Sequence, residues 1–120
     1  MKTKVVDPKI IRAAGNKPKR IEEYIGRVNT GDSTASIARM VSPCGWVEPA
    51  QTPEFDEYTV VLKGELQVLV DGEPQTVRAG QAIAVPKGVR VQYSTPNADG
   101  AEYIAVCLPA FSPDLVHRES

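Results

Sequence analysis

The 120-residue chain carries a single histidine and two cysteines. A zinc or iron site built on imidazole or thiolate needs three or four such ligands, so His117 cannot make one alone. Carboxylates by themselves favour harder ions such as magnesium or calcium. Cys44 and Cys107 lack CxxC spacing and are too few for a disulfide framework. Both read as structural thiols, Cys107 most clearly because it sits in the apolar run Ile104–Leu108. Aromatics make up only 6% of the residues. Of these only Tyr24 falls among the basic residues near the N-terminus, which leaves little for stacking on bases, and no nucleic-acid partner is expected. No apolar run approaches the ~18 residues that span a bilayer. Met1–Asp7 also lacks the apolar core of a secretory signal, so a cytoplasmic protein without membrane contact is expected. A glycine-rich phosphate loop and a nucleophile elbow are missing as well.

What is present describes an ordinary globular domain, with 42% hydrophobic and 24% charged residues. The length suits one domain with its own core. The net charge of -1 is unevenly spread, since residues 1–27 hold eight Lys or Arg against three acidic residues. Such an arm reads as a solvated segment that balances an acidic body, although a basic arm can also contact anions.

β-Branched and aliphatic residues dominate Tyr58–Leu62 and Leu66–Val70, which predicts two strands separated at Gly64. Asp71-Gly72 is a tight-turn dipeptide. Gly80–Gly88 repeats the plan of a short apolar strand closed by Pro86-x-Gly88. Further strands are expected at Ala35–Val41, Thr76–Arg78, Val89–Ser94 and Glu102–Leu108. Ile21–Val28 fits a strand or a helix, and Val5–Ala14 a helical turn or an edge strand. Short strands punctuated by Gly and Pro predict an all-β sandwich or barrel. The tail predicts a short helix with Ser112 as N-cap and Pro113 in its first turn, and with Phe111 as anchor. The expected organisation is an N-terminal arm and edge strand over 1–33, a barrel over 34–111 and a capping tail over 112–120.

Gly45, Glu57 and Gly64, followed by Gly80, Pro86 and Gly88, together resemble the two motifs of the cupin superfamily. The resemblance implies a double-stranded β-helix, a small jelly-roll barrel. Metal-binding cupins place His-x-His before the glutamate and another histidine after the second glycine. Here those positions hold Gln51 and Pro53, or Ala50 and Thr52 under the longer spacing, and Val91. The chain is thus similar to small cupins that lack the histidine cage, including the ethanolamine-utilisation branch, to which an acetate kinase activity is ascribed. The resemblance also implies pairing as a homodimer, which would cover exposed sheet edges.

Alternation along a strand sets which side chains share a face. If Glu57 faces the interior, as its counterpart does in the family, Thr59 and Val61 share that face, and Tyr93 joins it from the second motif. A carboxylate among aliphatic walls has a raised pKa suited to proton transfer, and a phenol can donate to a developing oxyanion. Glu57, Tyr93 and His117 are the candidate catalytic groups. His117 qualifies only if the tail folds over the pocket, and otherwise faces solvent. Gln51, Glu48, Trp46, Thr59 and Lys17 are the candidate substrate-binding groups. Trp46 suits either the mouth or packing against Phe55, and Lys17 would have to fold back with the arm. The expected function is metal-independent lyase or isomerase chemistry on a small polar metabolite, with no cofactor. The alternatives are a non-catalytic ligand-binding or structural cupin, or a weak metal site using Glu57, Gln51 and a tail residue.

Overall fold

The computed structural model describes residues 2–120. Nine strands carry almost all the regular structure: β1 (Lys9–Ile11), β2 (Arg20–Ile25), β3 (Ser36–Ser42), β4 (Trp46–Val47), β5 (Asp56–Val70), β6 (Glu73–Arg78), β7 (Ala82–Val85), β8 (Val91–Thr95) and β9 (Ala101–Leu108). One four-residue helix, α1 (Pro113–Val116), follows. Every strand pairing is antiparallel. Where the sequence left helix and strand open, the arm supplies an edge strand and β2 completes the sheet beside β3.

The barrel is organised by β5. Its first half pairs with β9 on one side and β7 on the other. Its second half pairs with β8 and β6. One continuous strand therefore belongs to both sheets: β1-β2-β3-β9-β5-β7 on one side and β4-β8-β5-β6 on the other. The break expected at Gly64 is a bend within a 15-residue strand. Gly64 has φ +75°, and a Cβ there would collide with the Gly100 carbonyl oxygen. The residue is needed for close approach of two backbones rather than for ending a strand.

The core between the sheets gathers Trp46, Val61, Leu66, Val68, Val77, Val85, Val91, Tyr93, Ala101 and Tyr103. A second cluster of Phe55, Cys107 and Val116 ties α1 to the barrel, with Phe111 and Leu115 packed against it. The helix begins as its sequence indicates, with Ser112 Oγ accepting from the Asp114 amide and Pro113 in the first turn. Cys107 is buried, whereas Cys44 is exposed. Cys44 occupies the β3–β4 turn, which lies outside the packed layers, so local sequence alone misplaced it. Among the described residues, no helix is long and apolar enough to cross a membrane.

Candidate functional site

A cavity of about 60 Å³ lies between the sheets. It exists because the inward positions of two neighbouring strands are small: Ser36 and Ala38 on β3, Ala105 and Cys107 on β9. Larger polar side chains from other elements project into the space so left. Glu57 and Thr59 come from β5, Tyr93 from β8, and Glu48 and Gln51 from the segment after β4. Alternation along β5 acts as expected, with Thr59 and Val61 buried and Tyr58, Val60 and Leu62 exposed.

Tyr93 donates its hydroxyl to Glu57 Oε1 at 3.2 Å. Burial, reinforced by the nearby Glu48 carboxylate, pushes the Glu57 carboxyl up to about 7. The Tyr93 hydrogen bond and the charges of Lys19 and Arg118 oppose that rise without cancelling it. Burial likewise raises Glu48 and holds the Tyr93 phenol well above its ordinary value. A third carboxylate in the cavity wall, Glu23, serves the backbone instead. Its Oε2 accepts the amides of Val28 at 3.0 Å and Asn29 at 2.7 Å.

Two groups in the cavity wall escaped sequence reasoning. Lys19 places its ammonium 3.8 Å from the centroid of the Trp46 ring and 2.8 Å from the Tyr103 hydroxyl. The Tyr103 hydroxyl lies 2.9 Å from Ser42 Oγ, which continues the chain of polar contacts. Desolvation draws the Lys19 pKa down to about 8, against the pull of Glu48 and Glu57. Tyr103 could have been found by the same alternation that finds Glu57, since Ala101, Tyr103, Ala105 and Cys107 all face inward. Lys19 could not. It reaches the cavity because the arm before it docks on β4: Trp46 Nε1 donates to the Ala14 carbonyl at 3.0 Å, and Asn16 exchanges hydrogen bonds with Val47. A Cβ on Gly15 would collide with Trp46 Nε1, so the arm requires glycine at that point.

The remaining candidates lie elsewhere. Lys17 donates to the Cys44 carbonyl on the exposed side of the β3–β4 turn. Trp46 is fully buried and supports Lys19 instead of lining the cavity. His117 is exposed, with Nε2 against the Glu54 carboxylate. Its neighbour Arg118 does line the cavity, because the tail runs beside Gln51 through an isolated bridge. Gln51 also bridges to Val91 through the backbone. Among the described residues, no group of three or more His, Cys, Asp or Glu could hold a metal ion. The side-chain oxygen of Gln51 is buried without a hydrogen-bond partner.

Comparison with known proteins places this barrel. Residues 38–107 match the Cupin domain family. The chain is 48% identical over 102 residues to endoribonuclease YbeY of Myxococcus xanthus, covering 85% of this chain but 35% of that protein. It is 35% identical over 72 residues to acetate kinase EutQ of Clostridioides difficile, covering 56% of this chain and 45% of that protein. The chain therefore spans less than half the length of these curated relatives. The solved structure of the polyketide cyclase RemF from Streptomyces resistomycificus superposes with a TM-score of 0.77 over 100% of this chain and 87% of that one, at 19% identity. The match over residues 38–107, more than half of the sequence, means that the chain belongs to the cupin family, as a small EutQ-like cupin without the histidine cage.

Proposed function

We propose that this protein is a metal-independent acid–base enzyme acting on a small polar metabolite inside the barrel. The observation that carries the reading is the Glu57–Tyr93 contact in the cavity, beside a lysine ammonium. A carboxylate with a pKa near 7 is ionised often enough to take a proton and holds it well enough to return it. Glu57 would remove a proton from a carbon next to a carbonyl or carboxylate. The charge left on oxygen would meet the Lys19 ammonium, and Tyr93, released from donating to Glu57 once that carboxylate is protonated, would turn its single O–H to the same oxygen. Returning the proton to another carbon completes an isomerisation. Delivering it to a departing hydroxyl, which leaves as water, completes an elimination.

The test is solvent exchange. Incubation in deuterium oxide with a panel of small oxo and hydroxy acids, followed by proton NMR, should show deuterium entering the carbon adjacent to the carbonyl. Glu57→Gln should reduce that exchange by about 100-fold or more, the scale of general base catalysis. Exchange that is equal in Glu57→Gln and the wild type would overturn the assignment.

Acetate kinase and endoribonuclease are names of whole relatives of which this chain covers 45% and 35%. We assign neither activity to it. A non-catalytic role as a ligand-binding barrel is the second reading, favoured by the unpartnered Gln51 oxygen, which a bound molecule would satisfy without any reaction. Two further elements belong to the proposal: a cytoplasmic setting, and a homodimer formed through the exposed outer face of the larger sheet, where Ile37, Tyr58, Val60 and Leu62 stand out.

A further inference from the structure

We propose that the ligand is a small hydroxycarboxylate, with its carboxylate held by Lys19 and Arg118 and its hydroxyl donating to Gln51 Oε1. The inference rests on the reading of this cavity as the working site and names the chemistry that the site selects.

Charge comes first. Arg12, Lys19 and Arg118 all line the cavity. Among the described residues, none of the three has a carboxylate within ion-pair distance. An ammonium carries three N–H donors, and Lys19 uses one, on Tyr103. Opposing them are Glu48, Glu57 and Glu23, but Glu23 is already occupied by two backbone amides. Burial favours the protonated forms of Glu48 and Glu57. Three cationic side chains thus line one cavity without an ion-pair partner among the described residues, and a bound carboxylate would supply one.

Gln51 supplies the second requirement. Its oxygen is buried, at 4% residue exposure, and has no partner. Its backbone is held by a pair of bonds to Val91, donating to the carbonyl at 2.9 Å and accepting the amide at 2.8 Å. A buried acceptor left empty costs about 1–3 kcal/mol, and a ligand hydroxyl removes that cost. A plain carboxylate cannot, because it has no donor to offer. An amine would face three cations. The cavity volume of about 60 Å³ suits a small ligand.

The protein reports on this site without a label, because Trp46 is its only tryptophan and Lys19 lies 3.8 Å from the ring. Fluorescence titration should show saturable binding of lactate or 3-hydroxypropionate. Propionate should bind about tenfold more weakly, for want of one hydrogen bond to a buried group, and uncharged lactamide should not bind measurably. By calorimetry, Lys19→Met should weaken lactate and propionate alike by about tenfold or more. Gln51→Leu should weaken lactate alone, down to the propionate level. Lys19→Arg keeps the charge, though not the ammonium's shape, and should bind lactate more tightly than Lys19→Met, which separates loss of charge from loss of fold. Lactamide binding as tightly as lactate, or no saturable binding by either hydroxy acid, overturns the proposal. So does Gln51→Leu weakening both acids equally. The two claims fail separately. Hydroxy acid binding without Glu57-dependent exchange sinks the catalytic reading and leaves the ligand class standing. Glu57-dependent exchange on an uncharged carbonyl compound does the reverse.

Discussion

Glu57 and Lys19 are both held against their ordinary ionisation, one pushed up to about 7 and the other drawn down to about 8. Their pH effects on stability have opposite signs. Between 4.5 and about 7 the folded protein keeps the Glu57 proton that the unfolded chain has lost. That stabilisation is complete below the unfolded value and disappears as pH rises through the folded one. For Lys19, stability is complete above its ordinary 10.5 and is lost as pH falls through about 8. Glu57→Gln should therefore raise stability at pH 8 by about 1–3 kcal/mol, with the gain vanishing near pH 4. Denaturant unfolding at the two pH values checks it, and an equal change at both would count against a buried ionised carboxylate. Activity should depend on the same pair. Catalysis needs Glu57 ionised and Lys19 protonated, so the rate should peak between about 7 and 8. Lys19→Arg, whose charge persists, should flatten the alkaline limb.

Among the elements, the arm from Ala14 to Lys19 matters most for the site, because docking on β4 is what carries Lys19 inside. Gly15 has φ +122°, and a side chain there would collide with Trp46. Gly15→Val should cost about 1–3 kcal/mol and withdraw Lys19 from the Trp46 ring. A shifted Trp46 emission maximum together with weakened anion binding would show both effects. An unchanged spectrum would mean that the arm does not position the lysine. This arm also marks the limit of what the sequence discloses. The two glycine-framed motifs carry the cupin resemblance, which implies the barrel and an inward Glu57, and alternation then sets Thr59 and Val61 on the same face. Tyr93 follows from the same logic. Lys19 depends on a contact between Ala14 and Trp46, 32 positions apart, and no local pattern announces it. The continuity of β5 through Gly64 is hidden for a similar reason. A glycine reads as a break until the Gly100 backbone beside it is known.

For the whole molecule, the outer face of the larger sheet is unusually apolar. Adjacent strands set Ile37 beside Val106, Val106 beside Tyr58 and Ile104 beside Val60. Arg39 crosses the same face but is neutralised by Glu22 at 2.9 Å and Glu102 at 3.0 Å. An apolar sheet face with its charges already paired suits burial against a second copy. Light scattering should give twice the chain mass, and Val60→Glu should give the single mass while leaving ligand binding in the cavity intact. A monomeric wild type at micromolar concentration would rule out the dimer.

The catalytic reading of the cavity depends on the barrel tuning one carboxylate for proton transfer, and that property can be measured without knowing the substrate. Carbon-detected NMR of the labelled Glu57 side chain, followed from pH 3 to 10, reads its titration directly. The expected midpoint is about 7, moving further upward in Lys19→Met, where a nearby positive charge is gone. A midpoint at the usual carboxylate value of 4.5, indifferent to Lys19, would contradict it.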